Sequence, residues 1–310
     1  MASAIKCDIE RTEPRPGRLA ASLAATISFL RGLPWFVSGR PRTPLRVLCL
    51  MAFDTVQVLR KSRRLSSHRL QTLASLLDFG ACANEFFDNK DFSPQEYRAT
   101  RRLLERARTS LAAQEYMSRL RDLENRRPSP GGDVGQHRKA RWYREAVIRL
   151  SLGTIAATAL DNLTIEDGIR ATHRDEDLET LYRIVMLCQI IDDVLDLATD
   201  TENGLPSFLT AHASPSQALA LTSDAATEYA DRNGLQSLPH VFPFRLALLG
   251  ISALAKAAIM FGRWRLRLQA LRDWSASHRR QTVGRHGIRH PLASVATRKI
   301  RSPGREKRLF

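Results

Sequence analysis

Twelve residues constrain this chain more than any others: Gln189-Ile-Ile-Asp192-Asp193-Val-Leu-Asp196-Leu-Ala-Thr-Asp200. Their polar members fall at 189, 192, 193, 196 and 200, a spacing that places them on one face of an α-helix, one turn above another. Ile190, Ile191, Val194, Leu195 and Leu197 occupy the remaining faces, so the pattern predicts a helix buried most of the way round. Four carboxylates on such a helix repel one another and resist ionising away from water unless a cation joins them. A hard, oxygen-preferring divalent ion such as Mg²⁺, shared with a phosphate, satisfies them.

The rest of the chain supports a helical setting for this stripe. Alanine, leucine and arginine dominate, runs of β-branched residues are few and no strand-length alternation stands out, which predicts an all-α fold. With 310 residues, 43% of them hydrophobic, the chain can fill one large core. The expected organisation is a loose leader over 1–16, a single helical domain over 17–272 and a basic, disordered tail over 273–310. The domain is expected to be an antiparallel helical bundle around a central cavity.

Punctuation along the chain sets the expected helices. The first runs near Arg18–Arg31 and stops at Gly32-Leu33-Pro34; a turn-rich link containing Arg40 and Arg42 leads to a second near Leu45–Lys61. Ser66 or Ser67 caps a third, which Asp91-Phe-Ser93-Pro94 ends, and Pro94 opens a long fourth helix to Asn125. Arg126–Gln136 (RRPSPGGDVGQ) is the clearest loop and is expected to lie on the surface. A fifth helix is expected near His137–Leu160, a short sixth behind the capping box Thr164-Ile-Glu-Asp167, and a seventh near Asp175–Ala198. Helices near Pro215–Arg232 and Leu238–Arg272 complete the body.

The net charge of +16 is uneven. From Arg263 to Phe310 there are 14 Lys/Arg against 2 Asp/Glu, so this segment carries +12 and the body only +4. The body is therefore no basic nucleic-acid platform, while the tail can meet anionic lipid at a membrane periphery. Cys7, Cys49, Cys82 and Cys188 lack metal-ligand spacing; Cys82 and Cys188 read as small core residues, and a reduced, cytoplasmic setting is expected. The apolar stretch Ala20–Leu30 reads as a buried first helix, since Asp8, Glu10 and Glu13 precede it. Val241–Phe261 contains Arg245 and Lys256 and reads as a core helix in preference to a membrane span.

The stripe has a counterpart in Asn84-Glu85-Phe-Phe-Asp88-Asn-Lys90-Asp91. Both clusters fall in the last turns of their helices, where partial negative charge adds to the attraction for cations. Toward the N-termini the same faces turn apolar or small: Leu77, Gly80 and Ala81 on one helix, Tyr182, Val185 and Met186 on the other. That pattern predicts a cavity with an apolar floor and an acidic mouth, suited to a hydrocarbon with a diphosphate head. An acidic stripe on a single helix is ordinarily a solvated face, and for Asn84–Asp91 taken alone that reading is the stronger. The two ends meet only if the short segment near Thr164–Thr172 reverses the chain.

Gln189-x-x-Asp192-Asp193-x-x-Asp196 resembles the second aspartate-rich motif of trans-prenyl diphosphate synthases, and Asp196-x-x-x-Asp200-x-x-x-Gly204 resembles that of squalene and phytoene synthases. The resemblance is to the class I isoprenoid synthases, and it implies an all-α bundle around a cavity. It further implies Mg²⁺ held by Asp192, Asp193 and Asp196, with Asp200 as an additional ligand and Gln189 near the substrate head. In the first motif Asn84-Glu85-x-x-Asp88 stands where two leading carboxylates are usual; these three residues complete the expected metal set. Asp88, Asp192 and Asp193 are the expected catalytic residues, and Gln189, Arg40, Arg42, Lys90 and Arg183 the expected substrate contacts.

No arginine pair follows the first motif at the distance used by elongating synthases, and Gly39–Pro44 keeps only a trace of their basic segment. The resemblance therefore implies ionisation of a preformed prenyl diphosphate, followed by coupling, cyclisation or prenyl transfer, with Mg²⁺ as cofactor. A homodimer is compatible with this. Two rivals remain: a non-catalytic prenyl-diphosphate-binding or partner subunit of the same fold, and a helical nucleic-acid-binding protein acting through the basic tail.

Overall fold

The computed structural model describes residues 20, 23–27, 30–31, 43–88, 93–106, 108–161, 164–230 and 243–283. Among the described residues the chain is all-helical without a strand; one lone parallel bridge joins Gly132 and His212. In chain order the helices are α1 (Thr43–Lys61), α2 (Ser67–Asp88), α3 (Pro94–Arg106), α4 (Ser110–Glu124) and α5 (Val134–Ile155). A π-helical turn, Ala156–Asp161, leads to α6 (Ile165–Arg174), α7 (Glu176–Leu195), α8 (Leu197–Asn203), α9 (Pro215–Ala230) and α10 (Phe244–Val283). The chain divides into two units, Met1–Leu266 and Arg267–Phe310. The expected leader over 1–16 lies outside the described residues, as do Arg40, Arg42, Lys90 and Asp91.

Local chemistry explains four of the helix starts. The Ser66 hydroxyl accepts the Arg69 amide at 3.3 Å, and Pro94 opens α3 where its missing amide costs nothing. The Thr164 hydroxyl accepts the Asp167 amide at 3.2 Å, closing the expected capping box of α6. Asp175 caps α7 through the Leu178 amide at 3.0 Å.

Three elements differ from expectation. The long helix expected over Pro94–Asn125 is broken: Arg108 takes φ +56°, and the Thr109 amide and hydroxyl both turn back to the Leu104 carbonyl. The stripe helix bends at Asp196 (φ −92°, ψ 8°), so Asp200 belongs to α8 and not to α7. The helix expected to stop near Arg272 runs on to Val283, because Gly284 is the first glycine or proline after Gly262.

α7 lies at the centre of the main core. Tyr182 is 1% exposed and Met186, Leu187 and Ile190 are wholly buried. They belong to one cluster with Phe53 and Val56 of α1, Leu73 of α2, Leu219 of α9 and Leu248 of α10. Each such side chain contributes about 1.5–3 kcal/mol of burial. α2 also enters a second cluster through Leu76, Phe79 and Ala83, which join Leu104, Tyr116, Leu120 and Leu150. Held on both sides, its acidic C-terminal end has a defined position.

α5 and α6 cross at close range. A Cβ on Gly168 would stand 2.0 Å from the Gly153 carbonyl oxygen, and one on Gly153 would stand 2.6 Å from the Ile169 nitrogen. Two glycines at the crossing let the backbones touch.

Two apolar stretches expected in the core are more exposed than that. Among the described residues of the first stretch, Ala25 is buried but Leu23 and Leu30 are more than half exposed. In α10, Phe244, Leu248, Ala255 and Ile259 enter the core, whereas Leu246, Leu254 and Met260 face outward. Among the described residues, Phe244–Arg272 is the single helical segment long and apolar enough to cross a membrane, with 28% of its most apolar window buried. Cys82 is buried as expected, Cys188 is half-buried, and neither these two nor Cys49 forms a disulfide.

Candidate functional site

The C-terminal ends of α2 and α7 line one pocket of about 150 Å³. α2 supplies Asn84, Glu85 and Asp88; α7 supplies Gln189, Asp192 and Asp193; Asp196 and Asp200 follow across the bend into α8. Two cations that the sequence does not single out complete the wall: Arg127 from the loop after α4, and Arg144 from α5. Among the described lining residues, six carboxylates face two guanidiniums.

Each carboxylate has a distinct environment. Asp193 is 1% exposed and both its oxygens are engaged. Its Oδ1 accepts Gln189 Nε2 at 2.7 Å and Arg144 at 3.3 Å, while its Oδ2 accepts the Phe208 amide at 2.7 Å. Asp88 accepts Arg127 at 2.6 Å on Oδ1 and the Asn84 side-chain amide at 3.1 Å on Oδ2. Asp200 is buried, and Asp192 and Asp196 stand exposed at the mouth.

Arg127 also donates to Glu124 at 3.2 Å. Burial opposes its charge, but the hydrogen bond to Asp88 and the fields of Tyr143, Asp88 and Glu124 outweigh that and hold the guanidinium above its ordinary pKa. Arg144 ties Asp193 to the Pro206 carbonyl at 3.1 Å. The Nε atoms of Arg127 and Arg144 are buried without a hydrogen-bond partner.

The Arg126–Gln136 segment lies largely at the surface, as expected, and is pinned there. The Gly131 amide donates to the Thr210 carbonyl at 2.8 Å, and the Gly132 amide to that of Ala211 at 3.0 Å. The Ala213 amide returns a bond to the Gly132 carbonyl at 2.8 Å. Gly131 takes φ +82°, which suits a residue without a Cβ. The segment carrying Arg127 is thus fastened to the segment after the second motif, which Asp193 itself anchors.

Of the residues expected from sequence, Asn84, Glu85, Asp88, Gln189, Asp192, Asp193, Asp196 and Asp200 meet in this pocket. Three expectations meet a different setting. Arg183 is not among the described lining residues: its guanidinium is buried and donates to the Tyr229 and Ala230 carbonyls at 2.6 Å, satisfying the end of α9. Asp193 lines the pocket with both oxygens already engaged in holding loop and helix together. The expected apolar floor is filled, since Tyr182 and Met186 are packed in the core and Leu205 is the one aliphatic side chain among the described lining residues. Arg40, Arg42 and Lys90 lie outside the described residues.

No family model, curated protein or solved structure matches this chain.

The donors at the pocket are oxygen atoms, the type that hard cations prefer. Among the described residues no three His, Cys, Asp or Glu side chains are drawn together as a ready ligand set. Mg²⁺ is commonly held by one or two carboxylates together with substrate phosphates. A magnesium ion at this pocket would therefore need oxygens of a bound phosphate to complete its ligands.

Proposed function

We propose that this chain is a class I isoprenoid synthase-like protein whose acidic pocket takes the diphosphate group of a prenyl diphosphate together with Mg²⁺. The observation that carries the proposal is the meeting of two acidic helix ends, distant in sequence, with two half-buried arginines in one small pocket. Mg²⁺ held there would supply neutralising charge to a departing diphosphate. Asp192 and Asp196 at the mouth would hold it, with Asp88 opposite, where it also accepts Arg127 and Asn84, and Glu85 and Asp200 deeper in the wall. Arg127 and Arg144 are the two cations among the described lining residues, and guanidiniums held in place there would stabilise negative charge as it develops on a diphosphate. Gln189 and Asp193 hold Arg144 in place.

One observation favours a second reading, a diphosphate-binding subunit without catalysis. A volume of about 150 Å³ accepts a diphosphate and little more, while sites for larger ligands usually span roughly 300–1,000 Å³. Cleavage and carbocation chemistry need a dry apolar chamber beyond the head group. An assay for inorganic diphosphate released from geranyl, farnesyl and geranylgeranyl diphosphate, with and without Mg²⁺, separates the two. Mg²⁺-dependent release supports the synthase; Mg²⁺-dependent binding without release supports the binding subunit; neither binding nor release sinks both.

A further inference from the structure

We infer that the outward face of α10 docks on the surface of an anionic lipid bilayer. At 100° per residue, Phe244, Leu248, Ala255, Ile259 and Gly262 share the face that enters the core. The opposite face carries Leu246, Leu249, Leu254, Met260, Phe261 and Trp264, each between 47% and 63% exposed. Gly250, Ala253 and Ala257 fall between them, so the strip is continuous and free of polar side chains. A soluble surface rarely leaves so long a contiguous apolar strip uncovered.

Charge selects the occupant. Arg245, Lys256 and Arg263 align along one flank of the strip, Arg265 lies on the other, and all four are exposed. From Phe244 to Arg272 there is no acidic residue, and the segment 263–310 carries 14 Lys/Arg against 2 Asp/Glu. Apolar residues sinking into the acyl boundary, with basic side chains reaching flanking headgroups, describe a helix lying in the plane of an anionic interface. Trp264 at the end of the strip, beside Arg263 and Arg265, suits the headgroup level. A second copy of this chain would bring the same cationic flanks together, with no carboxylate between Phe244 and Arg272 on either helix to offset them. A spanning orientation is opposed by the opposite face, which Leu248, Ala255 and Ile259 commit to the protein core. Membrane docking is independent of the diphosphate reading, and its test makes no reference to turnover.

The test is co-sedimentation of the full chain with vesicles of phosphatidylcholine alone and of phosphatidylcholine with about one-third phosphatidylserine, at low and at physiological salt. The expected result is binding to the anionic vesicles, weakened by salt, and reduced about tenfold or more in the double variant Leu254→Glu/Met260→Glu. Both substitutions sit on exposed positions, and circular dichroism verifies that the variant keeps its helices. Quenching of tryptophan emission by brominated acyl chains, reduced in Trp264→Ser, gives an independent readout from a milder change. Absence of binding to anionic vesicles at low salt overturns the inference. Unchanged binding by the double variant also overturns it, by assigning the attraction to the basic segment alone. A concentration-dependent dimer in sedimentation equilibrium, abolished by the double variant, overturns it in favour of a second copy.

Discussion

Asp193 and Asp192 are neighbours in sequence with opposite duties, and substitution to asparagine separates them. An asparagine in place of Asp193 would present an amide where the carboxylate now accepts Arg144, Gln189 and the Phe208 amide, leaving a half-buried guanidinium and a backbone donor short of acceptors. Asp193→Asn is expected to cost about 3 kcal/mol, read as a lowered urea midpoint with an unchanged slope. Asp192→Asn, at an exposed position, is expected to change stability by less than about 0.5 kcal/mol. Equal losses from the two would contradict this division. His137 offers a second test: it is 3% exposed, packs edge-on against Phe208, and burial pushes its pKa down to about 4. With the folded value below the unfolded 6.5, the unfolded chain takes the proton first; the contribution is complete above about pH 6.5 and is lost as pH falls toward 4, an effect of order 3 kcal/mol. Asp177 runs the other way, since burial and Asp175 raise its carboxyl to about 6, so its contribution is present below 3.8 and lost as pH rises through 6. The clean measurement is the stability difference between wild type and His137→Phe, which should shift against wild type between pH 7 and 4.5; a difference independent of pH would refute the assignment. Spacing alone marks Asp192, Asp193, Asp196 and Asp200 as one face. It does not separate Asp193 from the others, because what engages Asp193 is a loop amide 15 residues away in sequence.

At the scale of elements, the crossing of α5 and α6 is the most sensitive packing contact. Gly168→Ala drives a methyl against a carbonyl oxygen that cannot give way, and is expected to cost about 3 kcal/mol or more, with loss of cooperative thermal unfolding. Gly250→Ala is the control, a helical glycine with nothing within 4 Å of its added methyl, expected to gain about 0.5–1 kcal/mol. A tolerated Gly168→Ala would mean that the two helices can part at little cost. Helix starts are legible where a side chain and a backbone donor lie three residues apart, as at Ser66, Thr164 and Asp175. Interruptions are not: nothing in Arg106–Ser110 resembles a breaker, since the α3–α4 break depends on Thr109 returning to the Leu104 carbonyl in the folded chain. The bend at Asp196 is equally silent in the sequence, because the hydrogen bonds from Asp196 to Asp192 and from Asp200 to Asp196, both 2.8 Å, continue through it.

At the scale of the molecule, α2 and α7 bring their acidic ends to one place. Composition is enough to anticipate helices, and the stripe is enough to anticipate the motif residues. Arg127 and Arg144 are not legible. One lies in a proline- and glycine-rich loop whose course depends on bonds to Thr210 and Ala211, and the other is one arginine among many on α5. An apolar floor is expected from small and apolar residues on the motif faces; of these, Tyr182 and Met186 instead pack the core, Leu77 and Val185 lie against it, and Ala81 is exposed. Head-group recognition is therefore the claim on which the functional reading stands or falls. The most direct measurement is calorimetric titration of inorganic pyrophosphate into the full chain, with and without Mg²⁺, for wild type, Asp192→Asn and Asp88→Asn. The predicted result is one site per chain that requires Mg²⁺ and weakens about tenfold or more in each variant. Binding that ignores Mg²⁺, or that both variants retain at full strength, would contradict it.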